Sequence, residues 1–297
     1  MKVVRKEDVA KVGAERKRVR EGTLDIIRLA QGTPGTADNY MYALSTTQSD
    51  YRTPRHRHNF EQIRLQLRGE WDYERDGVMT PGTVGYFPEG CHYGPSHSSD
   101  DATILILQFG GASGCGYMSH DEYAEAMAVL AGRGKFHEGI YTWYDAAGKK
   151  HNKDGYEAVW EDSRQQELHY PRPRYDRPVM MRPEHFAWRA SRDEAGVSFK
   201  ALGTFSERDV RIGFVRIDAG ATARHLPGNT LYFVVSGKGN AAGESWLAES
   251  ALILGKGESA EVRATEASEL FYIGLPDLEG LEFAAHQKRK VAASSPA

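Results

Sequence analysis

The chain of 297 residues contains only two cysteines, Cys91 and Cys115. Two thiols cannot build a disulfide framework or an all-cysteine zinc site. Long apolar runs are missing too. None approaches the roughly 18–20 residues of a membrane-crossing helix, and the opening Met1-Lys2-Val3-Val4-Arg5-Lys6 has no apolar signal core. Neither sign of charge dominates: 38 Lys+Arg against 41 Asp+Glu leave a net charge of -3, without the positive excess needed to displace counterions from nucleic acid. A cytoplasmic protein with no nucleic-acid or membrane partner is expected. Walker loops, Gly-X-Gly-X-X-Gly, Gly-X-Ser-X-Gly and His-Glu-X-X-His are all absent. By contrast, 15 Tyr, 11 Phe, 5 Trp, 31 Gly and 12 Pro in a 40% hydrophobic chain point to strands, tight turns and a packed core.

Residues 1–22 read as a charged N-terminal arm, helical or frayed, in which Arg16, Lys17, Arg18 and Arg20 are solvated. Between 23 and 118, short apolar or alternating runs (Leu24–Leu29, Gln62–Leu67, Trp71–Tyr73, Val84–Phe87, Thr103–Phe109) are separated by turn residues, the pattern of an antiparallel sandwich or barrel. Ser119-His120-Asp121-Glu122 has the form of a capping box and predicts a helix over 120–131. The helix opens a connecting segment, 119–185, whose run Tyr170-Pro171-Arg172-Pro173-Arg174 should be extended and semi-rigid. Strand patterns return over 186–282, and 283–297 read as a flexible tail. Glu61–Glu70 resembles Asn229–Lys238, and Tyr86–Gly90 resembles Ile253–Gly257 at nearly the same distance downstream. Order and spacing are kept, as in a duplicated domain.

The informative stretch runs from Pro54 to Leu67. Strand side chains alternate, so His56, His58, Phe60, Gln62, Arg64 and Gln66 share one face, while Ile63, Leu65 and Leu67 share the other. Two imidazoles spaced i, i+2 can converge on one ion, although an amphipathic surface strand would show the same alternation. Downstream lies Gly82-Thr83-Val84-Gly85-Tyr86-Phe87-Pro88-Glu89-Gly90-Cys91-His92-Tyr93.

Together the two stretches resemble the paired motifs of the cupin superfamily. His56, His58 and Gly69 fit the first motif, and Gly82, Pro88 and Gly90 fit the second. The resemblance covers both halves and implies an all-β fold of two tandem cupin-type, jelly-roll-like antiparallel β-barrels with a few short helices. It also implies one divalent metal ion in the first barrel, Fe(II) favoured, with Zn, Ni or Mn as alternatives. Three departures stand out. Gln62 occupies the family's glutamate ligand position, Tyr93 occupies its third-histidine position, and the glycine ahead of His56 is missing. Gln62 still offers a neutral oxygen. A one-residue bulge would let His92 replace Tyr93 as a ligand, and His97 is a more distant candidate.

Parity would place Arg64 and Gln66 inside a closed barrel, where unpaired polar groups are costly, so Arg64 is expected to clamp a carboxylate or phenolate. Phe60, on the same face, is a further candidate for substrate contact. Tyr93 and Glu61 are candidates for proton transfer, with Glu61 on the wrong parity unless a bulge intervenes. Cys91 is either a thiolate ligand or a buried inert thiol. The second half offers only His225 near the equivalent position and reads as metal-free. The expected function is a metal-dependent enzyme acting on a small anionic or aromatic molecule, most readily an Fe(II) dioxygenase. The alternatives are a non-redox isomerase, cyclase or lyase, and a non-catalytic binder. Exposed strand edges make a homodimer the expected assembly.

Overall fold

Alternating runs cut by Gly, Pro and Asp turns dominate the chain. The computed structural model describes residues 1–12, 23–98, 100–114 and 116–279 and folds these runs into two antiparallel barrels. The principal strands are β1 (Lys2–Val4), β2 (Leu24–Gln31), β3 (Tyr40–Thr47), β4 (Glu61–Arg68), β5 (Val84–Phe87), β6 (Ala102–Phe109), β7 (Val179–Met181), β8 (Val197–Phe205), β9 (Val210–Ile217), β10 (Thr230–Ser236), β11 (Ala251–Leu254) and β12 (Ser268–Gly274). One large sheet runs β7-β5-β4-β6-β3-β2 and the other β1-β11-β10-β12-β9-β8, each with one further two-residue strand at its end. The orders match strand for strand, as the internal similarity anticipates. Each outer edge comes from the segment that leads into the other barrel: β1 pairs with β11, and β7 pairs with β5.

Each barrel is closed by a smaller four-stranded sheet. In the first it is built from Arg52–Thr53, Ser96–His97, Trp71–Asp72 and Val78–Met79, and in the second from Thr222–Pro227, Ser259–Ala264, Lys238–Ala241 and Glu244–Leu247. The large sheets face each other across a shared core. Ile63, Leu65, Val84, Tyr86, Leu105 and Leu107 from one side pack with Ile212, Phe214, Leu231, Phe233, Phe271 and Ile273 from the other. The second barrel's interior is hydrocarbon, filled by Tyr232, Val234, Trp246, Leu252, Val262 and Leu270. The turn after β4 needs Gly69. It sits at φ 64°, and a Cβ there would lie 2.4 Å from the Asp101 carbonyl oxygen.

Helix α1 (His120–Ala131) forms where the capping box predicts it, with Ser119 accepting from the Glu122 backbone N–H. The rest of the connecting segment is more structured than its sequence implies. A three-stranded meander (Gly134–His137, Ile140–Tyr144, Lys150–Asp154) leads into α2 (Gly155–Arg164), capped by the Asp154 side chain. The expected helical arm is also different. Its described part forms β1, a 3-10 turn at Lys6–Asp8 and a two-residue strand against β2, because Val3 and Val4 gain apolar cover on the second barrel. Arg16, Lys17, Arg18, Arg20 and the 283–297 tail lie outside the described residues. Among the described residues no helix is long and apolar enough to cross a membrane.

Phe233 is wholly buried where the two sheets meet. Phe233→Ala should cost about 3–5 kcal/mol through lost burial and the cavity left behind. Urea unfolding monitored by tryptophan fluorescence reads this directly, and a cost below about 1 kcal/mol would mean that the sheets do not share a tightly packed core.

Candidate active site

The first motif meets the second through a backbone bridge. His56 and Tyr93 exchange both hydrogen bonds, His56 N to Tyr93 O at 3.1 Å and Tyr93 N to His56 O at 2.9 Å, and Gly90 N donates to His58 O at 2.7 Å. Tyr93, not His92, therefore faces the imidazoles. His92 is exposed, and its carbonyl accepts from Arg55. No bulge brings it inward. His97 lies half-buried in the small sheet opposite Arg52 and Asp72.

His56 and His58 stand half-buried near one another, ring centroids 4.9 Å apart and almost perpendicular. His56 Nδ1 lies 2.7 Å from the Pro54 carbonyl oxygen. A carbonyl can only accept, so the proton is on Nδ1 and Nε2 carries the lone pair. His58 stacks on Phe60 at 4.4 Å, and Tyr156 of α2 meets His58 edge-on at 6.0 Å. The Tyr156 hydroxyl donates to Asn59 Oδ1 at 2.8 Å. Arg57 reaches over the Tyr170 ring at 3.9 Å. The connecting segment thus roofs the first motif with aromatic residues that a reading centred on the two motifs did not assign.

Beyond the imidazoles lies a polar floor carried by β4. Arg64 is 8% exposed. Its Nε and Nη2 donate to Gln62 Oε1 at 3.1 and 2.5 Å, its Nη2 also donates to the Tyr93 hydroxyl at 3.2 Å, and its Nη1 donates to the Tyr73 hydroxyl. The guanidinium lies 4.4 Å from the Phe87 ring centre. Gln62 Nε2 donates to the Tyr93 hydroxyl at 3.0 Å. Among the described residues no carboxylate pairs with Arg64. Gln66 lies toward the far end of the strand and spends its amide donors on the carbonyls of Arg68 and Gly69.

Glu61 is placed elsewhere. The β4 ladder is regular around it, so it points to the opposite face, where Arg174 bridges it and Glu89 at 3.1 and 3.0 Å and also holds Glu207. Glu89 is seated by Ser113 through N and Oγ, with Gly111 close enough that a Cβ would meet the carboxylate at 2.3 Å. The glycine-rich stretch after β6 cradles a side chain. Burial lifts the Glu61 carboxyl to about 8, Glu89 adds to the rise and Arg174 opposes it. Burial likewise pushes the Cys91 thiol up to about 11, with Asp76 contributing. In the metal-free protein Cys91 therefore stays a thiol at neutral pH, and its Sγ lies 3.7 Å from the His92 carbonyl oxygen.

The spacing of the two imidazole rings is compatible with a shared divalent ion. With metal–nitrogen bonds near 2 Å, two imidazoles on one ion place their centroids roughly 5 Å apart. The other two positions singled out by the motif resemblance carry neutral oxygens, Gln62 Oε1 and Tyr93 Oη, both in contact with Arg64. Among the described residues no group of three His, Cys, Asp or Glu is placed to hold a metal. An ion here would rest on His56 and His58 and take its other ligands from these oxygens, water or substrate. In the second barrel His225 is exposed. The positions matching Gln62, Arg64 and Gln66 are Thr230, Tyr232 and Val234, leaving no polar floor.

No protein-family profile matches the chain, and no curated protein is similar to it in sequence. Solved structures are similar in fold. A provisionally assigned dioxygenase from Nostoc punctiforme has 10% identity over 96% of this chain and 87% of that one, with a TM-score of 0.62. A provisionally named glyoxylate-induced protein from Pseudomonas aeruginosa has 11% identity over 97% and 90%, with a TM-score of 0.59. A variant of Bacillus subtilis oxalate decarboxylase has 12% identity over 93% and 77%, with a TM-score of 0.52. The chain has the cupin fold, in two tandem barrels.

The Glu61 carboxyl, held near 8 against an ordinary value of about 4.3, sets a stability trend. The folded chain keeps a proton that the unfolded chain releases between roughly pH 4.5 and 8, so stability falls as pH rises through that window. Glu61→Gln should flatten the fall when urea midpoints are compared from about pH 5 to 8.5. An equally steep fall in the variant would assign the trend to another group.

Proposed function

We propose that the first barrel is a cupin enzyme centre for a small organic anion, with Arg64 anchoring the anion and His56 and His58 supplying protein ligands for a divalent ion. The observation that carries this reading is a buried guanidinium whose partners, Gln62, Tyr73 and Tyr93, are all neutral. A buried charge is costly unless matched, and a planar guanidinium is suited to a carboxylate through paired hydrogen bonds. An anion arriving past the imidazoles would meet Arg64 on a floor walled by Phe87 and Tyr93, beneath the roof formed by Tyr156 and Tyr170. The aromatic lining suits a flat organic body.

A bound divalent ion would polarise a substrate oxygen as a Lewis acid or, as Fe(II), admit dioxygen chemistry. We favour an Fe(II) dioxygenase-type reaction, with Zn, Ni or Mn serving the non-redox alternatives. Support from the relatives is limited to a shared fold with a provisionally assigned dioxygenase and an oxalate decarboxylase. The chain's own residues do the positioning. Arg64 fixes the anionic group, Phe60 and Tyr156 hold the orientation of His58, and the Pro54 carbonyl fixes that of His56. The Tyr93 hydroxyl accepts from Gln62 and Arg64, and its ring lies beside that of His56, which makes it our candidate for proton transfer to a substrate oxygen. A second reading, a non-catalytic binder, is favoured by the lack of a third His, Cys, Asp or Glu in the candidate ligand set among the described residues.

Elemental analysis of protein reconstituted with Fe(II) under anaerobic conditions tests the reading. With acetate present throughout reconstitution and desalting, wild type should retain iron, and His56→Ala and His58→Ala should lose it. Iron retained unchanged by either variant would remove these imidazoles from the site. No retained iron in wild type, with small carboxylates still binding, would favour the binder.

A further inference from the structure

Gln62 Oε1 is the oxygen at the family's carboxylate ligand position, and Arg64 already holds it through two N–H groups at 3.1 and 2.5 Å. The same amide's nitrogen is committed to the Tyr93 hydroxyl. For Gln62 to turn its oxygen toward an ion at His56 and His58, Arg64 must find another acceptor. The nearby carboxylates do not provide one. Glu61 and Glu89 lie on the opposite face with Arg174, Asp76 is held by Arg55 at 2.8 Å, and the unpartnered buried acceptor on the same strand face, Gln66 Oε1, is neutral. An ion entering alone would therefore meet neutral ligands and a fixed positive charge nearby. The charge is no requirement of the barrel, since Tyr232 takes the equivalent place in the second barrel, among packed apolar side chains.

We infer that the divalent cation and the organic anion bind this barrel cooperatively, with the anion drawing Arg64 away from Gln62 and so releasing the Gln62 oxygen to the cation. The inference rests on the metal-and-anion reading above and adds an order to it: the ion is recruited with the substrate and is not a standing resident. Carboxylate binding replaces the neutral acceptor on Arg64 with a charged one and offsets the positive charge that opposes the cation. Linkage then requires the cation to tighten the anion by the same factor.

The test uses Mn(II), whose free-ion paramagnetic resonance signal is lost on binding, with acetate, which chelates Mn(II) only weakly in water. Wild-type protein should bind Mn(II) weakly alone and at least about tenfold more tightly with saturating acetate, within the usual range of coupling between sites. Arg64→Met should bind Mn(II) alone more tightly than wild type does and lose the response to acetate. Gln62→Leu, an independent variant should the first fail to fold, should still bind acetate, read calorimetrically, but lose most of the coupling. Equal Mn(II) affinity with and without acetate in wild type overturns the inference while leaving a metal site in place, as does full coupling in Gln62→Leu or Arg64→Met. If wild type binds no Mn(II) under either condition, both the inference and the metal part of the functional reading fail. His56→Ala, which should lose Mn(II) in both conditions, shows that the ion measured is the one at the imidazoles.

Discussion

Strand β4 must satisfy two incompatible environments, and the rest of the structure follows from how it does so. Its Ile63 and Leu65 belong to the hydrocarbon between the barrels, and its Gln62 and Arg64 belong to the polar floor of the first. A one-residue slip would exchange the two sets, placing a guanidinium among Leu231 and Phe233. The shared core therefore fixes the register, and the register holds the cation inside the barrel. Stability of the junction and chemistry of the site are two faces of one eight-residue strand.

The two barrels separate what the fold supplies from what the site adds. Their principal strands run in the same order, and their junction faces are built alike. The interiors differ, mostly apolar in one and an Arg–Gln–Tyr network in the other. The second interior, packed around Trp246 and Tyr232, carries apolar side chains where the first carries a charge. Fold likeness to distant proteins thus says little about chemistry here, because the same strand order accommodates both interiors.

Much of this was legible in the sequence where periodicity was strong. The alternation of residues 61–68, the short runs at 84–87 and 251–254, and the Ser119 capping box each mark an element that forms. Strand β3, Tyr40–Thr47, leaves no periodic mark in the sequence because it is buried on both faces and shows no clean alternation. The two-residue strands closing the first barrel are too short for any periodic signal. Parity placed Arg64 inside and raised the difficulty with Glu61, which the regular ladder turns to the other face. The rivalry between His92 and Tyr93 was settled by the bridge to His56, a contact between residues 37 positions apart. Tyr73, Tyr156 and Arg174 reach the site or its supporting strand through tertiary packing alone, and no local pattern marks them. Arg174 does sit in a proline-rich stretch expected to be extended, but nothing in that stretch reveals that it would bind Glu61, Glu89 and Glu207 together.

The seating of β1 bears on how the chain is assembled during synthesis. Lys2 lies opposite Ile253, and Val4 opposite Ala251, so β1 has no docking edge until some 250 further residues have been made. Contacts this distant in sequence are slow to form. Strand β1 is then placed after strands made later than it, and it fastens the second barrel from outside once the two sheets have met.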